Sequence, residues 1–492
     1  MAKEIRLRYA GFIVFAAKML SVATGLIFQL MIARATTKLE YGIWFNIYDV
    51  AAYFTLLAGV LPFWTMRFMA RGREGAAKTG ILANLTLSLI ATLIYLSLVS
   101  LITSALGVGE QYLPLYFLMA IQIIERYAIN ALEACLRAKI PQVIGYGLLI
   151  AECCKVVLGY ILIIHFQQPL LGAMLSLITA IAMQTVYYFM LLKEEFRQHV
   201  TWEYVREWVK GSVANIYHIV GNHLAAFILI LLFTYGGEGA RGNYGAAAQI
   251  ASVITYASSL GFALYPKLLA DRRSEDITTS LKTVCMFAIP MTVGAITLSD
   301  SYIIIMKEVY KEAWPIVMVL AINALITTIS GLFSAVLFGV ERLDEKAQIG
   351  LRALVKSPLF KMFSLPYLRS AVILPAAFYV LTTHTQDQPI EAAFSVSVLN
   401  TLASVATCLI LYGIARKLIT IDVHWSSIGR YVFASAVMAT ALYVLPHPTR
   451  ISVTLGITAI GGIIYFSTLT AIDREARRLV ATVWEELKSI GS

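Results

Sequence analysis

The sequence predicts an all-α membrane protein of about 14 transmembrane helices, arranged as two pseudo-symmetric six-helix lobes with two further helices at the C-terminus. Three observations carry this expectation. Apolar stretches of roughly 20 residues, the length needed to cross a bilayer, recur along the whole chain. Hydrophobic residues make up 59% of the 492 and charged residues only 14%, a balance that a water-facing surface does not accommodate. The 39 Lys and Arg concentrate in every second segment between apolar stretches, the positive-inside pattern of a multi-pass protein of the cytoplasmic (inner) membrane with both termini in the cytoplasm.

The elements follow in order. Lys3, Arg6 and Arg8 precede the apolar run 11–33, which is too long for a signal peptide and is followed by no small-residue cleavage site, so it reads as span one. Further spans fall at 42–66, 80–106, 113–135, 141–165, 169–192, 211–235, 244–265, 283–306, 314–339, 367–384, 390–415, 428–446 and 451–471. Outside loops such as 107–112 and 166–168 are short and nearly free of basic residues. Arg474, Arg477, Arg478 and Lys488 agree with a cytoplasmic C-terminus. The expected organisation is an N-lobe at 1–192, an interfacial linker helix at 193–210, a C-lobe at 211–415, spans thirteen and fourteen at 416–471, and a cytoplasmic tail helix at 472–492. In the linker, Val200, Tyr204, Val205, Trp208 and Val209 share one helical face, while Glu203, Arg206, Glu207 and Lys210 share the other. The pattern reads as a solvated or lipid-surface helix without a binding role.

Composition also excludes. The net charge of +10 is scattered over many inside segments and forms no block, so it reads as orientation signals beside anionic membrane lipids and not as a nucleic-acid surface. Cys135, Cys153, Cys154, Cys285 and Cys408 lie in or beside apolar spans, without the spacing of a metal site. No G-x-x-x-x-G-K-[ST], no His-Glu-x-x-His and no nucleophile elbow occurs, so neither a P-loop nor an enzyme is expected, and no cofactor or metal.

An internal repeat adds topology. Glu40-Tyr41-Gly42 opens span two, which closes near Gly59, Pro62 and the basic Arg67, Arg71 and Arg73. Asn243-Tyr244-Gly245 opens span eight, which closes near Gly261, Pro266 and the basic Lys267, Arg272 and Arg273. Six spans separate the copies, so both cross in the same direction, as parallel repeats about an axis along the membrane normal do.

Four stretches carry a family resemblance. They are Ala33-Arg34 with Glu40-Tyr41-Gly42-Ile43-Trp44; residues 134–139 leading into span five; Tyr244-Gly245 running through to Tyr265-Pro266-Lys267; and 310–315 followed by 334–342. In order and spacing they resemble the polysaccharide-transporter branch of the multidrug/oligosaccharidyl-lipid/polysaccharide exporter superfamily, which contains the Wzx-type O-antigen flippases. The resemblance implies two six-helix lobes that form an inward- or outward-open V and work by alternating access, with a polyprenyl-diphosphate-linked oligosaccharide as substrate, H+ or Na+ as coupling ion, and glycan polymerase machinery as a partner. A lipid II flippase and a cation-coupled multidrug exporter share the pattern. A membrane glycan polymerase is the alternative from a different class, but it carries a large outside loop that this chain lacks.

Ionisable residues within spans are the candidate sites, because a charge at mid-bilayer costs about 2.5–3.5 kcal/mol on insertion scales. Lys18, Arg126 and Lys155 are candidates for the substrate diphosphate, and Asp49, Glu125 and Glu152 for the coupling ion. Glu125, Arg126, Glu152 and Lys155 fall at similar depth on consecutive spans, so they form either a packing network or a switch that changes partners. Asn215, His218 and Asn222 make one polar stripe at i, i+3 and i+7, suited either to sugar hydroxyls or to an interhelical cluster; His223 is turned about 100° away. Asp300 and Arg369 lie near span ends and are assigned no role.

Overall fold

The computed structural model describes residues 20–21, 23–261, 274–340, 358–473 and 476–477, which are almost entirely helical, with no strand among them. Their contacts divide them into two compact units. The first comprises the described residues of Met1–Gly242 and Pro366–Pro389, the second those of Asn243–Lys346, Gly350–Leu365 and Ile390–Ser492. Among the described residues, eleven helices are long and apolar enough to cross a membrane, or twelve if one bent pair is a single span. This is a multi-pass helical membrane protein. The 14 expected spans are not counted out by this measure, because span one is described as a helix only over Ala23–Ala35 and spans seven and eight run together as Asn215–Ser258.

In the first unit, α1 (Ala23–Ala35) leads into α2 (Lys38–Thr55). Thr37 and Glu40 form a reciprocal capping box at the start of α2, satisfying two backbone N–H groups that the helix cannot. Residues 42–66, expected as one straight span, are bent by 56° between α2 and α3 (Val60–Ala70). Pro62 lacks an N–H and its ring crowds the carbonyl four residues back, so the helix breaks just ahead of it. The polar groups freed there are re-satisfied. Asn84 Nδ2 donates to the Ala58 carbonyl at 3.2 Å, and Tyr127 Oη donates to the Phe54 carbonyl at 3.0 Å. Without water to replace them, such bonds are what make a break inside a membrane tolerable.

Helices α4 (Ala76–Ala105), α5 (Leu113–Lys139), α6 (Gln142–Gly159) and α7 (Pro169–Leu191) follow. A core of Ile81, Ile129, Leu132, Cys135, Leu136 and Tyr188 joins them at one end. α8 (Trp202–Gly211) turns Tyr204, Val205 and the fully buried Trp208 onto Phe68, Leu61 and Ala83. α9 (Val213–Ala226) packs on α2, and α10 (Ile228–Thr255) follows it directly. The Gly-rich stretch 236–243, expected as an outside loop, is reduced to one non-helical residue, Gly237 at φ 83°. Only glycine takes that conformation at no steric cost. Helix resumes at once, and Gly42 of α2 lies so close to the backbone of Glu238 that a Cβ would overlap it.

The second unit contains the rest of α10, α11 (Ser274–Thr297), α12 (Ser299–Met306) and α13 (Trp314–Val340). α14 (Pro358–Thr383) begins in it and passes into the first unit, and α15 (Pro389–Leu418), α16 (Trp425–Val444) and α17 (Ile451–Ile472) complete it. The last two helices have no counterpart in the repeat, and polar staples hold them to α11 and α12. Tyr465 Oη donates to the Met286 carbonyl at 2.6 Å, Tyr302 Oη meets Thr458 Oγ1 at 2.8 Å, and His447 Nδ1 lies 2.7 Å from Asp300. Asp300, assigned no role from sequence, therefore anchors the 445–450 turn.

Candidate functional site

The embedded charges of the first unit fall into three groups. The first is an ion pair between α2 and α10. Arg241 Nε donates to Asp49 Oδ2 at 2.6 Å and Nη2 donates to Oδ1 at 3.0 Å, while the guanidinium lies 4.6 Å from the Phe45 ring centre. The side chains are 5% and 15% exposed. A two-pronged guanidinium–carboxylate bond of this kind fixes geometry as well as charge. Asp49 was expected to face a coupling ion; here it already has a resident cation. Arg241 escaped the sequence reading because its glycine neighbours read as a loop. Nearby, Tyr116 Oη donates to Asn46 Oδ1 at 2.5 Å.

The second group joins α1 to α6. Lys155 Nζ lies 2.7 Å from Glu152 Oε2, one turn away on the same helix, and 5.7 Å from the Phe28 ring centre. Thr24 of α1 donates its hydroxyl to the same carboxylate oxygen. Glu152 is buried and its charge is met locally. The expected four-residue set of Glu125, Arg126, Glu152 and Lys155 is thus brought together only in this half.

The third group is on α5, the most enclosed of the candidate spans. Glu125 is 8% exposed, and its Oε2 has no hydrogen-bond partner among the described residues. Arg126 is exposed, with no carboxylate within ion-pair distance among the described residues. It sits 13 residues from either end of α5, about 20 Å along the axis. A guanidinium midway along a span is costly to expose to hydrocarbon.

Arg126 also begins a stripe that the search for single embedded charges overlooked. The partly exposed Asn130 and Glu133 and the exposed Arg137 follow it at i+4, i+7 and i+11, whereas Pro114, Phe117 and Ile121 mark an apolar exposed face on the other half of the helix. The helical spacing was the available signal.

The remaining candidates lie elsewhere. Asn222 Nδ2 is 3.1 Å from both His218 Nε2 and the His218 carbonyl, so two members of the α9 stripe bond each other, with half-buried Asn215 one turn away. His223 turns from the stripe: its Nδ1 is 3.0 Å from the Ile219 carbonyl, and Tyr53 Oη donates to the His223 carbonyl at 3.0 Å. Lys18 lies outside the described residues.

No protein-family model matches this chain, and no curated protein sequence matches it. Solved structures do. An inward-facing multidrug resistance MATE family transporter of the MOP superfamily aligns with a TM-score of 0.61 at 15% identity, over 81% of this chain and 95% of its own. The lipid II flippase MurJ, in an inward closed conformation, aligns with a TM-score of 0.61 at 15% identity, over 94% of this chain and 99% of its own. A MOP superfamily transporter from Pyrococcus furiosus, described as having a binding pocket of reverse polarity, gives a TM-score of 0.52 at 16% identity, over 84% of this chain and 95% of its own. At this level of identity the likeness concerns architecture: the chain has the transporter fold of the MATE exporters and MurJ.

Proposed function

We propose that this protein is a flippase that carries a polyprenyl-diphosphate-linked oligosaccharide from the inner to the outer leaflet of the cytoplasmic membrane by alternating access. The observation that carries the reading is Arg126, an exposed guanidinium at mid-depth with no carboxylate in reach among the described residues. Such a group suits an anionic headgroup, whose passage through hydrocarbon would otherwise be prohibitive. The fold likeness to a lipid II flippase supports the same class of cargo. Multidrug exporters share the fold, but an exposed central cation without a carboxylate partner among the described residues favours an anionic cargo over a cationic one. Lys18 completes the cationic set in this reading, Lys155 joins it only when its ion pair with Glu152 opens, Asn215, His218 and Asn222 serve the sugar hydroxyls, and a glycan polymerase receives the product.

Coupling falls to Glu125. Asp49 and Glu152 each have a cationic partner, whereas Glu125 has an enclosed oxygen without one. The test is leaflet exchange of a labelled polyprenyl-diphosphate glycan in proteoliposomes. Arg126→Ala should abolish exchange, and Glu125→Gln should leave a slow exchange that no longer responds to an imposed proton or sodium gradient. Wild-type exchange retained in Arg126→Ala would overturn the reading.

A further inference from the structure

We infer that the half of α5 from Arg126 to Arg137 is a two-station path for a phosphate-bearing headgroup, with Arg137 receiving it at the membrane surface and Arg126 holding it at mid-depth. The inference rests on the flippase reading and assigns it a route, with Asn130, Glu133 and Arg137 as new participants.

The geometry of one helix supports it. Arg126, Asn130, Glu133 and Arg137 recur at i, i+4, i+7 and i+11, within about 40° of a common direction except for the small spread that 3.6 residues per turn imposes. Both arginines are exposed, and Asn130 and Glu133 are partly exposed between them. Positions such as Tyr127, Ile129 and Leu132, which point elsewhere on the same half of α5, are buried. The open side of this half is therefore the polar one.

The other basic residue at this end is not available. Lys139 points away from the stripe and lies 2.7 Å from Glu195 in the segment before α8. Arg137 is left as the cation that the stripe presents at the surface, on the side that the charge bias places in the cytoplasm.

Spacing then separates two sites. Eleven residues of helix put the two arginine Cα atoms about 16 Å apart along the axis. A diphosphate is only a few ångströms long, so it engages one arginine at a time. Glu133 shares a turn with Arg137, and its carboxylate also accepts from Gln184 Nε2 at 3.4 Å. Its negative charge weakens the hold of the surface station. The carboxylate beside Arg126, Glu125, is buried and turned about 100° from the stripe, so none shares the face of the inner station within a turn, and the affinity for an anion rises inward along the stripe.

The experiment measures initial rates of leaflet exchange against lipid concentration in proteoliposomes, for wild type, Arg137→Ala, Arg137→Lys, Glu133→Gln and Arg126→Ala. Arg137→Ala should raise the half-saturating concentration about tenfold, keep the limiting rate and flatten the dependence on salt, as loss of a steering charge does. Arg137→Lys should restore most of the wild-type value, which a purely structural role for the arginine would not allow. Glu133→Gln should lower the half-saturating concentration and slow the limiting rate. Arg126→Ala should lose the limiting rate itself.

Inorganic pyrophosphate added inside the same vesicles identifies the ligand. Competition supports recognition of the phosphates themselves; no competition, with the Arg137→Ala effect intact, supports recognition of the lipid-borne headgroup alone. Wild-type exchange with an unchanged half-saturation and salt dependence in Arg137→Ala overturns the path and leaves the flippase reading standing. Absence of any exchange by the wild type overturns the reading beneath both.

Discussion

The Asp49–Arg241 pair permits a quantitative prediction. Removing one partner leaves the other charge stranded, because the side chains are only 15% and 5% exposed and both prongs of the guanidinium are engaged, at 2.6 and 3.0 Å. Breaking a buried pair in this way costs about 3–5 kcal/mol, whereas replacing both members by apolar residues of similar size is often neutral or stabilising. Asp49→Leu should therefore be the most damaging of three variants. It removes both carboxylate bonds from a guanidinium with less than a tenth of its surface exposed, offset in part by the Phe45 ring, a contact worth about 0.5–2 kcal/mol. Arg241→Met should cost less, since the Asp49 carboxylate keeps some exposure and can be hydrated. The double variant should recover most of the loss, giving a coupling of at least about 2 kcal/mol in a double-mutant cycle. Equilibrium unfolding in mixed detergent and denaturant micelles, followed by tryptophan fluorescence, reads all four corners. Two single variants that each cost less than about 1 kcal/mol, and add in the double, would refute the assignment of a buried and coupled pair.

Three further outcomes follow from other contacts. Gly42→Ala should destabilise by about 1–3 kcal/mol in the same unfolding assay, because its Cβ would overlap the Glu238 backbone, whereas Gly59→Ala, with nothing within 4 Å of the added atom, should not. Glu195→Gln should cost no more than about 1 kcal/mol, since Lys139, its partner at 2.7 Å, is 38% exposed and water and salt screen the pair. Tyr465→Phe should lower stability by roughly 0.5–1.5 kcal/mol through loss of the 2.6 Å bond to the Met286 carbonyl, seen as a lower midpoint of thermal unfolding.

The class was legible because hydropathy over some 20 residues is a property of single segments. The bend after Thr55 was not read, although Pro62 was in plain view, because a proline inside an apolar run breaks a helix only where other groups can satisfy the freed carbonyls. Asn84 and Tyr127, which do so, lie tens of residues away. The run around Gly237 misled in the opposite direction. Four glycines and two charges in eight residues have the composition of a loop, yet one positive φ suffices to redirect the chain, and Arg241 returns to the interior.

Pairing is where local reading ends. The sequence spacing of Glu152 and Lys155 marks a one-turn pair, and the structure forms it, because i and i+3 on a helix are neighbours wherever the helix goes. Asp49 and Arg241 are 192 residues apart, and only the approach of α2 to α10 at Gly42 and Gly242 makes them partners. The same tertiary step changes what each charge can do. A carboxylate with a resident guanidinium has little left to offer a passing cation, and an ammonium beside a carboxylate has little left for a phosphate. By that reasoning the charges free to act are those for which folding provides no counterpart, and depth alone does not identify them. On α5 two adjacent residues meet this criterion with opposite signs, Glu125 enclosed and Arg126 open. Because they point about 100° apart, an ion reaching the carboxylate and an anion reaching the guanidinium arrive on different faces of one rigid helix. Any rotation of α5 that exposes Glu125 must therefore also reorient Arg126, which couples the two occupancies without direct contact between them.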